Sequence, residues 1–467
     1  MKVKNGFRYE KNGWVYIHID GKPYERGVAH GKLLKKEINS SIECMAWNLY
    51  DTHGYNIDFF IDVSEYLYKK KIKKNFPEFY EELRGIADGA NVDIDKLILW
   101  NHIFTLDYAI PKINYYLDKM PKLKKKYNDV FKNLSSSALE GGGYRKGSDD
   151  KCSAFMAVGD YTSDGKICCA HNSFTNFIDG QWFNVIIDIK PSKGHRILYQ
   201  AAPGYICSGT DFFVNSKGFI GTETTIGGFL KYEFKDPITC RIRKCMQYAN
   251  TLEDYVKMLT KENSGDYANA WLIGDTKNNE IMRIELGLKY VNVERTKNGY
   301  FIGFNAPYDA RIRNIECVNT GFDDIRRHQG ARKVRLEQLM EKYKGKINVS
   351  IAKKIIADHY DVYLNKINPC SRTCCSHYEL DNRAFMSQAD RPLPFQPRGA
   401  VDGCVADTES CKNMSFYCRW GSSCGTPFNV KKYIKKNIQW KRFGPWLLDR
   451  PAQPWVSFKS LNSKNKK

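Results

Sequence analysis

Cys152 is the residue whose type and position best suit covalent chemistry. It follows the small, polar, glycine-rich stretch NLSSSALEGGGYRKGSDDK at 133–151, and it opens the strand-like segment CSAFMAV. A cut on its amino side would leave one residue with both a thiol and an α-amine, whose ordinary pKa is about 7.7–8. Near neutral pH part of that amine is unprotonated and can take the thiol's proton during attack on an acyl carbonyl. From position alone, a buried structural cysteine remains the alternative.

The sequence around Cys152 resembles the phospholipase B-like proteins, which are N-terminal-nucleophile hydrolases. The resemblance rests on the segments DKCSAFMAVGDYTSDGKICCAHNSF, AAPGYICSGTDFFVNSKGFIGTETTIGG and GDYANAWLIGD. Near the ends of the chain, GKPYERGVAHGKLL and AVDGCVADTESCKNMSFYCRWGSSCGTPF match as well. The chain is similar, more distantly, to acyl-coenzyme A:6-aminopenicillanic acid acyltransferases and bile-salt hydrolases. The patches run from about residue 20 to residue 458, so the resemblance covers nearly the whole sequence.

The resemblance implies a set of site residues around the nucleophile. They are Cys152 itself, His171, Glu223, Thr224, Asn269, and one of Arg311 and Arg313. The amide of Asn269 is expected to stabilise the oxyanion, with donors from Glu223 and Thr224 completing the pocket wall. An arginine beside the thiol would lower the thiol pKa, and the sequence does not choose between the two candidates. Asp211, in GTDFF, is more typical of a turn than of an orienting role.

His171 is expected to share the face of Cys152. A hairpin turn at 162–165 would set Thr175 opposite Cys152, and odd-numbered residues of the second strand would then face the same side. A bulge would change that register. The histidine is then suited to orienting the thiol or sharing its proton, and an ordinary strand histidine remains the alternative.

The cysteines near the end of the chain form a dense second group. Seven of the fifteen cysteines lie between residues 370 and 424: Cys370, Cys374, Cys375, Cys404, Cys411, Cys418 and Cys424. None of their spacings is the CxxC pair of structural zinc sites, which disfavours zinc. Disulfides and free buried thiols both remain open. We therefore expect no metal and no cofactor, since an N-terminal cysteine also carries its own base.

The elements that must position Cys152 have mixed character. Residues 24–50 have helical periodicity, and helix-like sequence continues to 132; we expect 1–132 to be a helical pro-region, 133–151 a flexible linker ending at the cut, and 152–467 the catalytic fragment. Alternating segments predict sequential hairpins, WLIGD with IMRIE and KYVNVE with YFIGF, and helices are predicted at 237–249, 252–262 and 324–342. The pattern indicates an α+β fold. The resemblance implies an αββα four-layer sandwich.

The net charge and the first residues of the chain bear on its binding partners and its location in the cell. The formal charge is +21, mostly from lysine. This is a compositional bias or an attraction to an anionic membrane surface, and no helix-turn-helix, zinc-finger or RNA-binding pattern supports nucleic acid. The start MKVKNGFRYEKNGWVYIHIDG has no signal-peptide core, which predicts an intracellular protein. The resemblance instead implies a lysosomal or secreted address.

The expected function is hydrolysis of a fatty-acyl bond through a thioester at Cys152. The resemblance implies phospholipid as substrate, and it implies two fragments that stay associated after self-cleavage. Three alternatives remain open: an N-acyl amide hydrolase, an acyltransferase in which an amine resolves the thioester, and an uncleaved lipid-binding or structural protein without activity.

Overall fold

The computed structural model describes residues 1–109, 120–127, 151–209, 211–318, 321–381 and 397–461. The predicted linker lies outside these ranges except for Lys151. No helix within the described ranges is long and apolar enough to cross a bilayer.

Strands supply both central layers of the fold and one separate two-stranded sheet. They are β1 (Lys2–Val3), β2 (Gly6–Lys11), β3 (Trp14–Gly21), β4 (Cys152–Gly159), β5 (Gly165–Asn176), β6 (Val185–Pro191), β7 (Ile197–Ala201), β8 (Phe212–Asn215), β9 (Phe219–Thr225), β10 (Asn269–Asp275), β11 (Glu280–Leu286), β12 (Val291–Thr296), β13 (Gly299–Gly303), β14 (Tyr360–Asp361), β15 (Lys366–Ile367), β16 (Arg398–Ala400), β17 (Asp402–Asp407), β18 (Ser415–Trp420) and β19 (Val456–Lys459).

Helices form the outer layers and the N-terminal cap. They are α1 (Pro23–Leu33), α2 (Lys35–His53), α3 (Ile57–Ser64), α4 (Lys70–Asn75), α5 (Pro77–Ala90), α6 (Ile94–Asn101), α7 (Ile103–Ala109), α8 (Pro121–Lys126), α9 (Phe177–Gly180), α10 (Ile238–Tyr248), α11 (Leu252–Thr260), α12 (His328–Lys342), α13 (Val349–Ile356), α14 (Thr408–Lys412) and α15 (Val430–Lys436). Shorter turns of other helical types are Glu65–Lys69, Ile312–Glu316, Tyr378–Leu380 and Ile438–Phe443.

Two large sheets pack face to face. Among the described residues the first sheet has ten strands, in the order β1-β2-β3-β6-β7-β8-β9-β10-β11-β12. The second has the order β13-β4-β5-β17-β18-β19, with β16 also paired to β5. Contacts of β4 with β9, β10 and β11 bring the sheets together, while α1, α10 and α11 pack on the first sheet and α12, α13 and α14 on the second. The prediction of an α+β αββα sandwich is confirmed.

The N-terminal segment is part of this sandwich, and it contains strands as well as helices. β3 pairs in parallel with β6, so three strands from the start of the chain extend the first sheet. Glu82 of α5 accepts hydrogen bonds from Arg26 of α1 at 2.7 Å and from Arg243 of α10 at 3.0 Å, and all three side chains are fully buried. Breaking a buried, fully paired network of this kind costs several kcal/mol, on the order of 3–5. These contacts tie the segment before the linker to the segment after it.

The local elements predicted within the described residues are confirmed except for one hairpin, and the helix-like sequence predicted at 110–119 and 128–132 lies outside those residues. Helices α10, α11 and α12 match the three predicted segments, and β10 pairs with β11 as expected. The KYVNVE–YFIGF hairpin is wrong, because β12 pairs with β11 in the first sheet whereas β13 pairs with β4 in the second. The turn between them crosses from one sheet to the other. Pairing with β13 gives the main-chain groups of β4 a partner on the side away from β5, which local alternation does not reveal.

Candidate active site

The main-chain N–H and carbonyl of Cys152 both make hydrogen bonds to buried side chains. Cys152 is the first residue of β4 and is 2% exposed. Its N–H donates to Oδ1 of Asn305 at 3.3 Å, and its carbonyl accepts from Nη1 of Arg332 at 2.6 Å. Nη2 of Arg332 donates to the same Asn305 oxygen at 2.9 Å, and Nη1 reaches Oγ of Ser153 at 3.2 Å. The residue after the predicted cut is therefore fixed against a buried cation and a buried amide.

Two carboxyl groups lie beside the Cys152 sulfur. Sγ and one carboxyl oxygen from each of Asp211 and Glu223 all lie within 4.8 Å of one another. Burial raises the pKa of Asp211 to about 6. Burial and the neighbouring Asp211 raise the pKa of Glu223 well above its ordinary value. Two buried carboxyl groups in contact do not both ionise readily, so the pair holds a proton at neutral pH. Tyr267 also donates to Asp211 at 3.3 Å.

The thiol of the intact chain is neutral. Burial raises the pKa of Cys152 well above its ordinary value, and Glu223, Asp211 and Asp402 act in the same direction. Lys151 opposes them. Because burial and these acids outweigh the effect of Lys151, Cys152 in the intact site is a neutral thiol beside the Asp211–Glu223 pair rather than a thiolate.

The Lys151 side chain contacts two aromatic rings that line an apolar cavity next to this pair. Its Nζ lies 3.8 Å from the ring centre of Phe104 and 5.2 Å from that of Tyr267. Both rings, together with Asp211 and Trp271, line a cavity between α7, α10 and the first sheet. The residue that a cut would release therefore lies against the walls of a space that borders the site.

His171 shares the face of Cys152, two residues away from the predicted register. Cys152 pairs with Ser173 rather than with Thr175, and His171 pairs with Ala154, because the hairpin closes at the Gly159–Gly165 pair, earlier than predicted, and a one-residue irregularity follows between Ala157 and Gly159. A shift of two residues keeps side chains on the same face. His171 is fully buried, and neither ring nitrogen has a hydrogen-bond partner among the described residues. Burial lowers its pKa to about 3, so the imidazole is neutral.

Glu223 and Thr224 face opposite sides of β9. Successive side chains of a strand alternate, so only one of the two faces the sulfur. Glu223 is the one whose carboxyl lies beside Cys152. Thr224 packs against Gly303 of β13, where an added Cβ would meet its Oγ1 at 2.7 Å. The predicted pair of pocket donors is therefore divided between two environments.

Asn269 begins β10 with an amide that has no partner. The residue is fully buried, and neither Oδ1 nor Nδ2 makes a hydrogen bond within the described part of the chain. Asn269 pairs in register with Thr225, whose carbonyl accepts from Nδ2 of Asn305 at 2.7 Å. Asn305 in turn accepts from the N–H of Cys152. A buried amide costs free energy unless it makes hydrogen bonds, so the Asn269 side chain is suited to hydrogen-bond an atom of a bound substrate.

The two predicted arginines contact other groups. Arg311 forms an ion pair with Asp309 at 2.6 Å, and its side chain is 56% exposed. Arg313 donates to the carbonyls of Pro307 and Tyr308 at 3.0 and 2.9 Å. Arg332 is the arginine that contacts Cys152, and sequence reasoning missed it because several basic residues follow one another in α12. Arg332 binds the main-chain carbonyl of Cys152 rather than the thiol, so it orients the residue.

Three residues of the site have left-handed backbone conformations. Asp211, Tyr267 and Asn305 have φ values of 66°, 57° and 67°. Non-glycine residues with such angles cost on the order of 1 kcal/mol or more, and they persist where surrounding contacts determine them. Asp211 was expected to form a turn, and its strained conformation delivers the carboxyl to the sulfur. Asn305 is the first residue of the segment NAPYDARIRN, which also contains Arg311 and Arg313, so the sequence did point to this stretch of the chain.

The Cys152 group, which comprises Cys152, Asp211, Glu223 and Asn269, has the side-chain types that acyl chemistry requires. A nucleophile, a proton-holding pair and an unpartnered amide donor are the parts that acyl transfer requires. One sulfur and two carboxyl groups could also ligate a cation. A shared proton is the simpler occupant, because the raised pKa values of both acids favour protonation and Tyr267 donates to Asp211.

Comparisons with known proteins agree on one family. The model of the family described as Phospholipase B matches residues 9–447. An uncharacterized protein of Archaeoglobus fulgidus is 27% identical over 58% of this chain and 42% of its own length. A phospholipase B of Crotalus adamanteus is 26% identical over 48% and 43%, and Phospholipase B-like 1 of Homo sapiens is 23% identical over 63% and 55%.

These matches span about half the length of the curated relatives. Among solved structures, a variant of conjugated bile acid hydrolase from Clostridium perfringens aligns over 68% of this chain and 94% of that one, at 10% identity and a TM-score of 0.27. The family resemblance of the sequence is confirmed by the family match.

Proposed function

This chain belongs to the phospholipase B family, and from that premise we propose that it is a self-cleaving N-terminal cysteine hydrolase of fatty-acyl bonds, with phospholipid esters as substrate. The observation that carries the proposal is the placement of the Cys152 sulfur within 4.8 Å of a coupled Asp211–Glu223 pair, at the first residue of a strand. A structural cysteine has no need of two buried acids, which cost free energy to keep there.

Maturation begins with the intact peptide bond between Lys151 and Cys152. The thiol attacks the Lys151 carbonyl carbon and passes its proton to the Asp211–Glu223 pair. The new C–S bond forms as the C–N bond breaks, and the proton returns to nitrogen, which becomes the α-amine of Cys152. Water then opens the thioester and leaves a carboxylate on Lys151. Because Arg332 and Asn305 hold the main chain of Cys152, the attacking residue keeps its position throughout.

The mature site repeats this chemistry on a substrate. The α-amine occupies the position of the former amide, beside Oδ1 of Asn305, and takes the thiol's proton. Sulfur attacks the acyl carbonyl, whose developing negative charge is met by the amide of Asn269. The alcohol leaves with the proton, and water resolves the thioester at Cys152. Glu223 and Asp211 supply or receive protons beside the sulfur.

The same cut gives access to an acyl-binding space. Release of Lys151 from the rings of Phe104 and Tyr267 would open the cavity that they line with Trp271. In the intact chain this cavity has a volume of only about 30 Å³, so it would have to widen after the cut to take an acyl chain. Its apolar walls would then suit a fatty-acyl chain better than a polar acyl group. The fragments before and after the cut remain associated, because β3 pairs with β6 and Glu82 binds arginines from both segments.

Intact mass and N-terminal sequencing of purified protein test the proposal. Wild type should give two co-purifying fragments, the larger beginning at Cys152, and should release fatty acid from phosphatidylcholine vesicles. Cys152→Ala should give one inactive chain, whereas Cys152→Ser should cut slowly because a hydroxyl is a weaker nucleophile. Cys169→Ala, a control at another buried thiol of the same sheet, should still cut.

Two outcomes would contradict the proposal. A wild-type single chain that hydrolyses acyl substrates would exclude the α-amine mechanism, and vesicle binding without fatty-acid release would favour a lipid-binding protein. Parallel assays with an N-acyl amide, with and without an added amine acceptor, separate ester hydrolysis from amide hydrolysis and acyl transfer.

A further inference from the structure

A second cluster of chemically reactive side chains lies away from the Cys152 group. One ligand-type atom from each of His359, Cys375, His377 and Cys424 lies within 4.8 Å of all the others. Cys375 and His377 are buried, and the other two are partly exposed. The residues come from three separate parts of the chain: His359 lies 16 positions before Cys375, and Cys424 lies 47 positions after His377. The fold brings these four residues together, and their grouping does not depend on the proposed acyl chemistry.

The separations within the cluster fit a tetrahedral ion. Nε2 of His377 lies 3.3 Å from Sγ of Cys375 and 3.2 Å from Sγ of Cys424. Bond lengths of about 2.0–2.3 Å place neighbouring ligand atoms of tetrahedral zinc roughly 3.3–3.8 Å apart. The separation of 3.3 Å is at the short end of that range, and the separation of 3.2 Å is just below it. A central ion therefore requires only small outward movements of these side chains.

The surrounding hydrogen bonds prepare two of the ligands. Nδ1 of His377 lies 2.6 Å from Oε1 of Glu379, an arrangement that assigns Nδ1 as the donor and leaves the Nε2 lone pair for a metal. The main-chain N–H of Thr426 donates to the Cys424 sulfur at 3.4 Å. A carboxylate behind a ligating histidine and an N–H donor toward a ligating sulfur are both common around bound metals.

The fourth side chain has a buried nitrogen suited to the same role. Nε2 of His359 is enclosed, and within the described residues no group meets it with hydrogen-bond geometry. Its ring centre lies 5.1 Å from that of His377. A buried imidazole nitrogen without such a partner costs free energy that a metal bond would offset.

We propose that His359, Cys375, His377 and Cys424 form a structural Zn²⁺ site. Two thiolates and two imidazoles in tetrahedral disposition are the donor set that zinc prefers, and four protein ligands leave no open position for catalysis. The sequence argument against zinc considered CxxC spacing alone. It missed this site because the ligands are assembled from distant segments and two of them are histidines.

The site braces the strand next to the nucleophile. Nδ2 of Asn172 donates to the carbonyls of Ile356 and Cys374 at 2.9 and 3.0 Å and to Oγ of Ser423 at 3.3 Å. Cys374 and Ser423 immediately precede two of the ligands. Oδ1 of the same asparagine accepts from the N–H of Ser153, the residue after Cys152. Binding of zinc would hold these loops in place and thereby stabilise the hairpin of β4 and β5.

Metal analysis of the full chain tests the proposal without reference to activity. Protein purified from zinc-containing medium without chelator should carry one zinc per chain by inductively coupled plasma mass spectrometry. Cys424→Ser and His377→Ala should each lose at least nine-tenths of that zinc. Cys370→Ser is the matched control, because it lies in the same loop outside the cluster, and it should retain the metal.

Measurements on wild type keep the proposal testable if a variant does not fold. A mercurial that modifies thiols should release zinc to a colorimetric chelator, and cobalt substituted for zinc should show thiolate charge-transfer and tetrahedral d–d absorption. Chelation should lower the melting temperature, and added zinc should restore it. Metal-free wild type after zinc supplementation, a disulfide between Cys375 and Cys424, or full zinc retention by Cys424→Ser would each overturn the proposal.

Discussion

Replacing Asn269 by alanine should separate catalysis from stability. The amide is fully buried and makes no hydrogen bond within the described residues, so the folded protein gains nothing from it and carries its desolvation cost. Removing it should leave the free energy of unfolding within about 1 kcal/mol of wild type, with the small cavity offsetting the relieved desolvation. Loss of one preorganised oxyanion donor should lower kcat by roughly 10² to 10³, or about 2.7–4 kcal/mol.

Asn215 provides the control for this experiment. It is equally buried in the first sheet, but its amide donates to the carbonyl of Met246 at 3.0 Å and accepts from the N–H of Phe219 at 3.0 Å. Asn215→Ala leaves both partners unsatisfied and should lower the free energy of unfolding by about 2–4 kcal/mol while changing kcat little.

The two readouts are fatty-acid release by the processed protein and urea-induced unfolding. The oxyanion assignment is refuted if Asn269→Ala loses stability as Asn215→Ala does and retains wild-type kcat. Equal loss of activity in both variants would also refute it, because the effect would then follow general destabilisation rather than a missing donor.

Three further predictions follow from the site and the charge. The raised pKa values of Asp211 and Glu223 mean that the folded state binds more protons than the unfolded state, so stability falls as pH rises above about 4.5. Glu223→Gln should flatten that fall in urea titrations at several pH values, and it should slow self-cleavage. An unchanged pH profile would contradict the proton shared with Asp211. Arg332→Met removes the arginine donor to the carbonyl of Cys152 and leaves Oδ1 of Asn305 with the N–H of Cys152 as its donor. It should cost on the order of 3 kcal/mol in unfolding free energy and slow the cut at least tenfold, as followed by intact mass. Cleavage at the wild-type rate would contradict the orienting role. The charge of +21 predicts stronger co-sedimentation with anionic than with zwitterionic vesicles, weakened by salt, and equal binding to both would leave only compositional bias.

Local patterns predicted much of the fold and the position of the nucleophile. The helices α10, α11 and α12 and the β10–β11 hairpin follow from side-chain periodicity, which depends on neighbouring residues alone. The face of His171 was predictable for the same reason, because the period of a strand is two. Its exact partner was not, since the position of the turn after Gly159 and the irregularity between Ala157 and Gly159 together set the register.

By itself, the sequence determined the family, the α+β class and the candidate nucleophile Cys152, because motifs and periodicities are written over short stretches of chain. Tertiary structure alone decided that Arg332 and Asn305, rather than Arg311 or Arg313, hold the main chain of that residue, and that Asp211 joins Glu223 beside its sulfur. Arg332 lies 180 positions from Cys152, and Asp211 reaches the sulfur through a strained backbone that no composition signals. The cluster of His359, Cys375, His377 and Cys424 has the same origin. Contacts between distant segments depend on how sheets and loops pack, and spacing along the chain carries little information about that packing.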